Sequence, residues 1–114
     1  MIEPNKAAVE FTIENKLEAL QRAVDGYIEI TYPFDDDVLV IGNKEAKLIG
    51  LEGNRRINGG IYAGNLILVA DNHEGDFRSL TDAEVKKYLE RFAQPESISS
   101  DDVQNDICFQ IFAF

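Results

Sequence analysis

The hydrophobic residues of this chain repeat with two different periods, which points to a fold of mixed α and β structure. In Ala7 to Ile13, Val9, Phe11 and Ile13 alternate with Glu10 and Thr12. Such alternation suits a half-buried strand, because successive strand side chains point to opposite faces. From Tyr27 to Pro33, Tyr27, Glu29 and Thr31 alternate with Ile28, Ile30 and Tyr32 in the same way. Between these segments the period lengthens. Leu17, Leu20 and Val24 fall on one face at helical spacing, Asn15 with Glu18 forms a cap signature, and Gly26 supplies a stop. The spacing predicts a helix over Lys16 to Val24.

Beyond Pro33 the triplet Asp35-Asp36-Asp37 breaks the pattern, and Val38 to Ile41 is a continuous run of branched apolar residues. Its β-branched content and the nearby turn residues favour a strand, which makes a β-hairpin with an acidic tip. The segment 42–60 carries Gly50, Gly53, Gly59 and Gly60 among polar residues and reads as a loop with one helical turn near Leu48. Ile61 to Ala70 reads as a strand with a bulge or bend at Gly64 and Asn65, followed by a loop over Asp71 to Arg78. Thr81 and Glu84 form a capping box, and Val85, Tyr88, Leu89 and Phe92 form the apolar face of a second helix that ends before Pro95. Residues 94–105 are polar and acidic and read as a linker. Residues 106–114 read as a C-terminal strand, apolar and aromatic from Ile107 and mostly apolar on both faces, which would be covered by this domain's sheet or by a second copy in a homodimer.

The expected architecture is a single α+β domain over residues 1–114. Its antiparallel or mixed sheet has four to five strands, two helices pack on it, and one face is wetter than the other. A composition of 45% hydrophobic and 28% charged residues is that of a chain able to bury its own core. One cysteine cannot form an internal disulfide, and no signal peptide or spanning apolar stretch is present, so a cytoplasmic protein is expected. The formal charge is −10, from acidic residues spread along the whole chain. Such a surface repels nucleic-acid phosphates and anionic membranes and attracts basic partners, so direct binding to nucleic acid or membrane is not expected.

Residues able to carry chemistry are few. His73 is the lone histidine and lies in an oxygen-rich run from Asp71 to Asp76, but the spacing is not that of an EF-hand and no second nitrogen or sulfur ligand is close in sequence. Cys108 lies in an apolar run, where a thiol is commonly a small buried hydrophobe. Ser79 lacks a nucleophile elbow. No catalytic residue, metal or cofactor is therefore expected. Asp35, Asp36 and Asp37, with Asp71, Glu74 and Asp76, are candidate partner-binding residues, and solvated turns are their simpler reading. Asn54, Arg55 and Arg56, set among glycines, form a candidate anion site of guanidinium and backbone amides. An arginine tying this loop to a carboxylate is the competing reading.

Several stretches together resemble the bacterial family classed as domain of unknown function 3846. They are Leu17-Glu18-Ala19-Leu20 leading to Gly26-Tyr27-Ile28-Glu29, then Tyr32-Pro33-Phe34-Asp35-Asp36-Asp37, Gly53-Asn54-Arg55, Ile61 to Val69 with Gly64, Ser79-Leu80-Thr81-Asp82, Lys87-Tyr88 and Arg91-Phe92. In the family pattern a longer apolar strand opens the chain. Here only Met1-Ile2-Glu3 precedes Pro4, so a lost or shortened first strand is expected. The resemblance implies a setting on phages, plasmids and integrated mobile elements, and it carries no catalytic motif. With the charge, it leads to a non-enzymatic accessory protein acting by protein contact. The sharpest form is a nucleic-acid-mimicking inhibitor of a basic host defence enzyme, of anti-restriction or anti-CRISPR type. The alternative is a small-ligand or anion-binding module using Asn54 to Tyr62.

Overall fold

Four consecutive branched apolar residues, Val38 to Ile41, form the centre of the molecule. In a strand they point alternately to the two faces of a sheet, so they can be buried together only if both faces are covered. The computed structural model, which describes residues 1–112 and side-chain surroundings through residue 106, has that arrangement. All four are 0% exposed. They belong to β2 (Val38–Asn43), which pairs antiparallel with β1 (Ile28–Thr31) on one side and β5 (Ile67–Asp71) on the other, with β6 (Phe77–Arg78) beyond β5. A separate antiparallel hairpin joins β3 (Gly53–Ile57) to β4 (Gly60–Ala63). The chain is thus an α+β fold around a four-stranded antiparallel sheet.

On one face, Leu20 and Val24 of α1 (Leu17–Val24) pack against Leu39, Ile41 and Ile67. On the other, Val38 and Val40 meet Tyr88 of α2 (Asp82–Arg91), Phe92 just beyond it, Ile57 of the hairpin, Ile2 and Leu66. The face expected to be wetter is therefore covered as well. The capping box of α2 is present: Thr81 Oγ accepts from the Glu84 N–H, and the Glu84 carboxylate accepts from the Thr81 N–H. The start of α1 differs from expectation, since Lys16 is its N-cap and Asn15 instead donates to Asp76. Its end is closed by Asn43, which donates to the carbonyls of Val24 and Asp25. Gly26 is required there because a Cβ would lie 2.7 Å from the Asn43 amide nitrogen.

Five expectations are corrected. Residues 7–13 alternate but form no strand; on the adjacent edge Ile2 bridges Leu66, just before β5, through two main-chain bonds, and β6 holds Ala70 and Asp71, which leaves no run long enough for a strand of seven residues. That single bridge is the pairing that residues 1–13 make with the sheet. The 42–60 loop contains β3, and its Asn58-Gly59 pair, with φ of 48° and 84°, makes the two-residue turn into β4. The strand expected over Ile61 to Ala70 is split at Gly64, whose φ of +74° turns the chain from β4 towards β5. From residue 100 the linker expected over 94–105, and with it the strand expected over 106–114, is replaced by α3 (Ser100–Phe112), while 94–99 stay outside helix and strand and residues 113 and 114 lie outside the described residues. Ser99 and Asp102 form a reciprocal cap at its start, and Val103, 4% exposed, packs on Gly53. The local cap outweighs the aromatic pattern, so the element through which strand-mediated dimerisation was expected is helical.

Candidate functional site: the acidic end of the sheet

Because β2 and β5 are antiparallel neighbours, the segment entering β2 and the segment leaving β5 lie at the same end of the sheet. Val38 faces Ala70 across the ladder, the Asp71 N–H donates to the Asp37 carbonyl at 2.9 Å, and the His73 ring bonds the Asp37 carboxylate at 2.8 Å. The structure therefore brings the Asp35, Asp36 and Asp37 loop beside the loop holding Asp71, Glu74 and Asp76. No local sequence signal places these two loops together.

Several of these carboxylates are held in place. Asp36 accepts from the Val38 N–H at 2.9 Å, from Lys87 Nζ at 2.9 Å and from the Tyr88 hydroxyl at 2.7 Å. Desolvation pulls its pKa upward, but the bonds from Tyr88, Lys87 and Val38 outweigh it and hold the carboxyl below the ordinary aspartate range. Tyr88 is pushed well above the ordinary phenol range, by burial first and by Asp36 second. Its ring lies 4.7 Å from Phe34 and stacks on Phe92 at 6.3 Å, so one side chain joins the core to the acidic loop. Arg78 bonds both Glu84 oxygens, at 2.8 and 3.2 Å, which is the first cause of the lowered Glu84 pKa, and its guanidinium lies 3.8 Å from Asp37. Asp71 accepts from the His73 N–H, and Asp76 accepts from Asn15 and from the Phe77 N–H. Among the described residues, none bonds the carboxylates of Asp35 or Glu74, both of which are exposed.

Asp36→Asn removes the charge that three donors address, and is expected to lower stability at pH 7 by about 1–2 kcal/mol. The folded pKa lies below the unfolded one, so this stabilisation is present above the unfolded value and is lost as pH falls through the folded one. Urea midpoints of wild type and variant should differ at pH 7 and converge below about pH 4. A gap that persists undiminished at acid pH would contradict the ion-paired role.

Asn54, Arg55 and Arg56 do not converge on a common point. Asn54 is 0% exposed and donates to the carbonyls of Ile2 at 2.8 Å and Gly64 at 2.7 Å. Arg55 is 1% exposed; its Nη1 donates to the Asn54 carbonyl and side-chain oxygen, and its Nη2 to the carbonyls of Lys6 at 2.6 Å and Phe92 at 3.1 Å. Burial lowers its pKa, against the pull of Glu96. Arg56 points outward, with its N–H on the Glu96 carboxylate and its guanidinium 3.3 Å from Asp102. Arg55 is thus held by carbonyl oxygens and not by the carboxylate of the competing reading, which Glu96 and Asp102 supply to Arg56 instead.

Two concavities had no signal in the sequence. A cavity of about 310 Å³ lies between segment 8–15 and the β5, β6 and α2 elements, lined by Phe11, Ile13, Leu68, Phe77, Val85 and Leu89 among others. A wider cleft of about 910 Å³ runs between β1 and the β3–β4 hairpin, where the hydroxyls of Thr31 and Tyr62 bond at 2.8 Å. Among the described residues, no group of three or more His, Cys, Asp or Glu side chains is placed to hold a metal ion, and no helix is long and apolar enough to cross a membrane.

Fold and site together define a small α+β domain with both sheet faces covered and a carboxylate-rich rim at one sheet end. The chain belongs to the family described as Domain of unknown function (DUF3846), whose model matches residues 1–93. The match takes in the whole sheet, the acidic end and Arg55, and stops short of α3. No curated protein and no solved structure matches the chain.

Proposed function

We propose that this chain is a non-enzymatic accessory domain that presents its acidic sheet end to a basic protein partner. The observation that carries this reading is the meeting of two sequence-distant loops, which sets Asp35, Asp36, Asp37, Asp71, Glu74 and Asp76 at one end against Arg78, Lys87 and His73. A rim of this sign steers positively charged surfaces and repels phosphates. Resemblance to a family of mobile elements, with a net charge of −10, supports a cytoplasmic setting and a nucleic-acid-binding host enzyme as the partner, one whose basic groove the rim would occupy. Anion binding at Asn54 to Tyr62 draws less support, because the Arg55 guanidinium faces inward to carbonyls.

The test compares wild type with an Asp35→Asn/Glu74→Gln double variant, in which both exchanged carboxylates lack a partner among the described residues, so folding should be unaffected. Capture from bacterial lysate should recover a basic nucleic-acid enzyme, and association at low salt should be roughly tenfold slower for the variant. Recovery of no such enzyme, together with no effect on restriction or CRISPR interference, would remove the proposal. Equal capture by both proteins would remove the acidic end from it.

A further inference from the structure

β1 is the terminal strand of the sheet, and the register shows which of its backbone groups face outward. The Lys44 N–H donates to the Tyr27 carbonyl, and the pairs Glu29↔Gly42 and Thr31↔Val40 continue the same parity, so Tyr27, Glu29 and Thr31 turn their main chain towards β2. Ile28 and Ile30 therefore direct N–H and C=O groups away from the sheet, and among the described residues nothing bonds them. Natural edges are commonly blunted by lysine, proline or a bulge. β1 has none of these within it, and Pro33 stands only beyond its end. Instead Ile30 within it is 38% exposed, and the tyrosines that flank it, Tyr27 and Tyr32, are 70% and 62% exposed.

The charges beside this edge are of one main sign. Asp25 precedes the strand, Glu29 lies in it and Asp35 follows it, all three exposed, against Lys44 beside Tyr27. We infer that the outer edge of β1 accepts an extended peptide segment of a partner as a fifth strand. That segment would have β-branched residues to match the pleat and arginine or lysine residues to meet Glu29, Asp25 and Asp35 and to lie over the Tyr27 and Tyr32 rings. Main-chain pairing with Ile28 and Ile30 supplies the register, and the tyrosines and carboxylates select the sequence. The inference deepens the proposal of a basic protein partner and rests on it for the partner's charge; the edge shares Asp35 with the acidic end, but its main-chain pairing at Ile28 and Ile30 does not involve that residue.

The test is fluorescence anisotropy of the full chain with a labelled eight-residue peptide alternating arginine and valine. Two comparison peptides are used, one N-methylated at alternate amides and one with glutamate in place of arginine. Saturable binding is expected, weakened at least about tenfold by N-methylation, which spares the charge and removes the strand donors. Ile30→Pro should weaken it similarly, since the lost N–H faces outward. If that variant fails to fold, the N-methylated peptide and a Tyr27→Ala/Tyr32→Ala variant decide. Absence of binding, or equal binding of the N-methylated peptide, overturns the inference. So does a chain that dimerises in sedimentation and becomes monomeric on Ile30→Pro, because a second copy would then own the edge. If peptide binding fails while partner capture still depends on Glu74, read with Glu74→Gln alone, the edge falls and the acidic end stands.

Discussion

Arg55→Ala should lower folding stability by about 3–5 kcal/mol, a large share of what a domain of this size possesses. The guanidinium is the point where three separate segments meet. Nη2 joins Lys6 of the N-terminal segment to Phe92 at the end of α2, and Nη1 fixes Asn54 within β3. Alanine would leave those carbonyls short of donors in a buried place and open a side-chain void beside them. Arg55→Lys should not rescue, because one ammonium cannot reproduce the planar fork that reaches both Lys6 and Phe92. Urea unfolding measures the effect. If Arg55 instead served an external anion, the apo melting temperature would be nearly unchanged and only ligand-induced stabilisation would be lost.

Leu39→Asp and Val40→Asp should each prevent folding, although the two side chains face opposite sides of one strand. Leu39 packs with α1 residues and Val40 with Tyr88, Phe92 and Ile57. Either exchange buries an unpaired carboxylate at a position that is 0% exposed, at a cost above about 4 kcal/mol. Ile30→Asp, at the exposed edge, is the tolerated comparison. Circular dichroism and soluble yield report the result. A folded Val40→Asp protein would show that the second face is open, as alternation in residues 27–33 suggests when taken alone.

Where local chemistry decides, the fold was legible. Thr81 with Glu84 marks α2 because both partners of the cap lie within one turn, and Asp35 to Asp37 between two apolar runs marks the β1–β2 hairpin. The β3–β4 hairpin was hidden although its Asn58-Gly59 turn was in view, because its strands bury Asn54 and Arg55, residues that ordinarily read as exposed. Residues 7–13 have the strand period, but whether a strand forms depends on a free neighbour, and the adjacent edge is divided between the Ile2–Leu66 bridge and β6. At the C-terminus the Ser99 and Asp102 cap is a local helix signal that the aromatic run obscured. Of the site, the acidic residues themselves were visible, and their convergence was not. It depends on β2 pairing with β5, a contact between residues about thirty apart in sequence that no local pattern encodes.

Hydrogen exchange of the chain alone and in complex with a captured basic partner tests the central claim most directly. The account predicts that protection gained on binding falls on residues 35–37 and 71–76, and is reduced in the Asp35→Asn/Glu74→Gln variant. Protection confined to α3 or to the β3–β4 hairpin, with none in the two acidic loops, would contradict it.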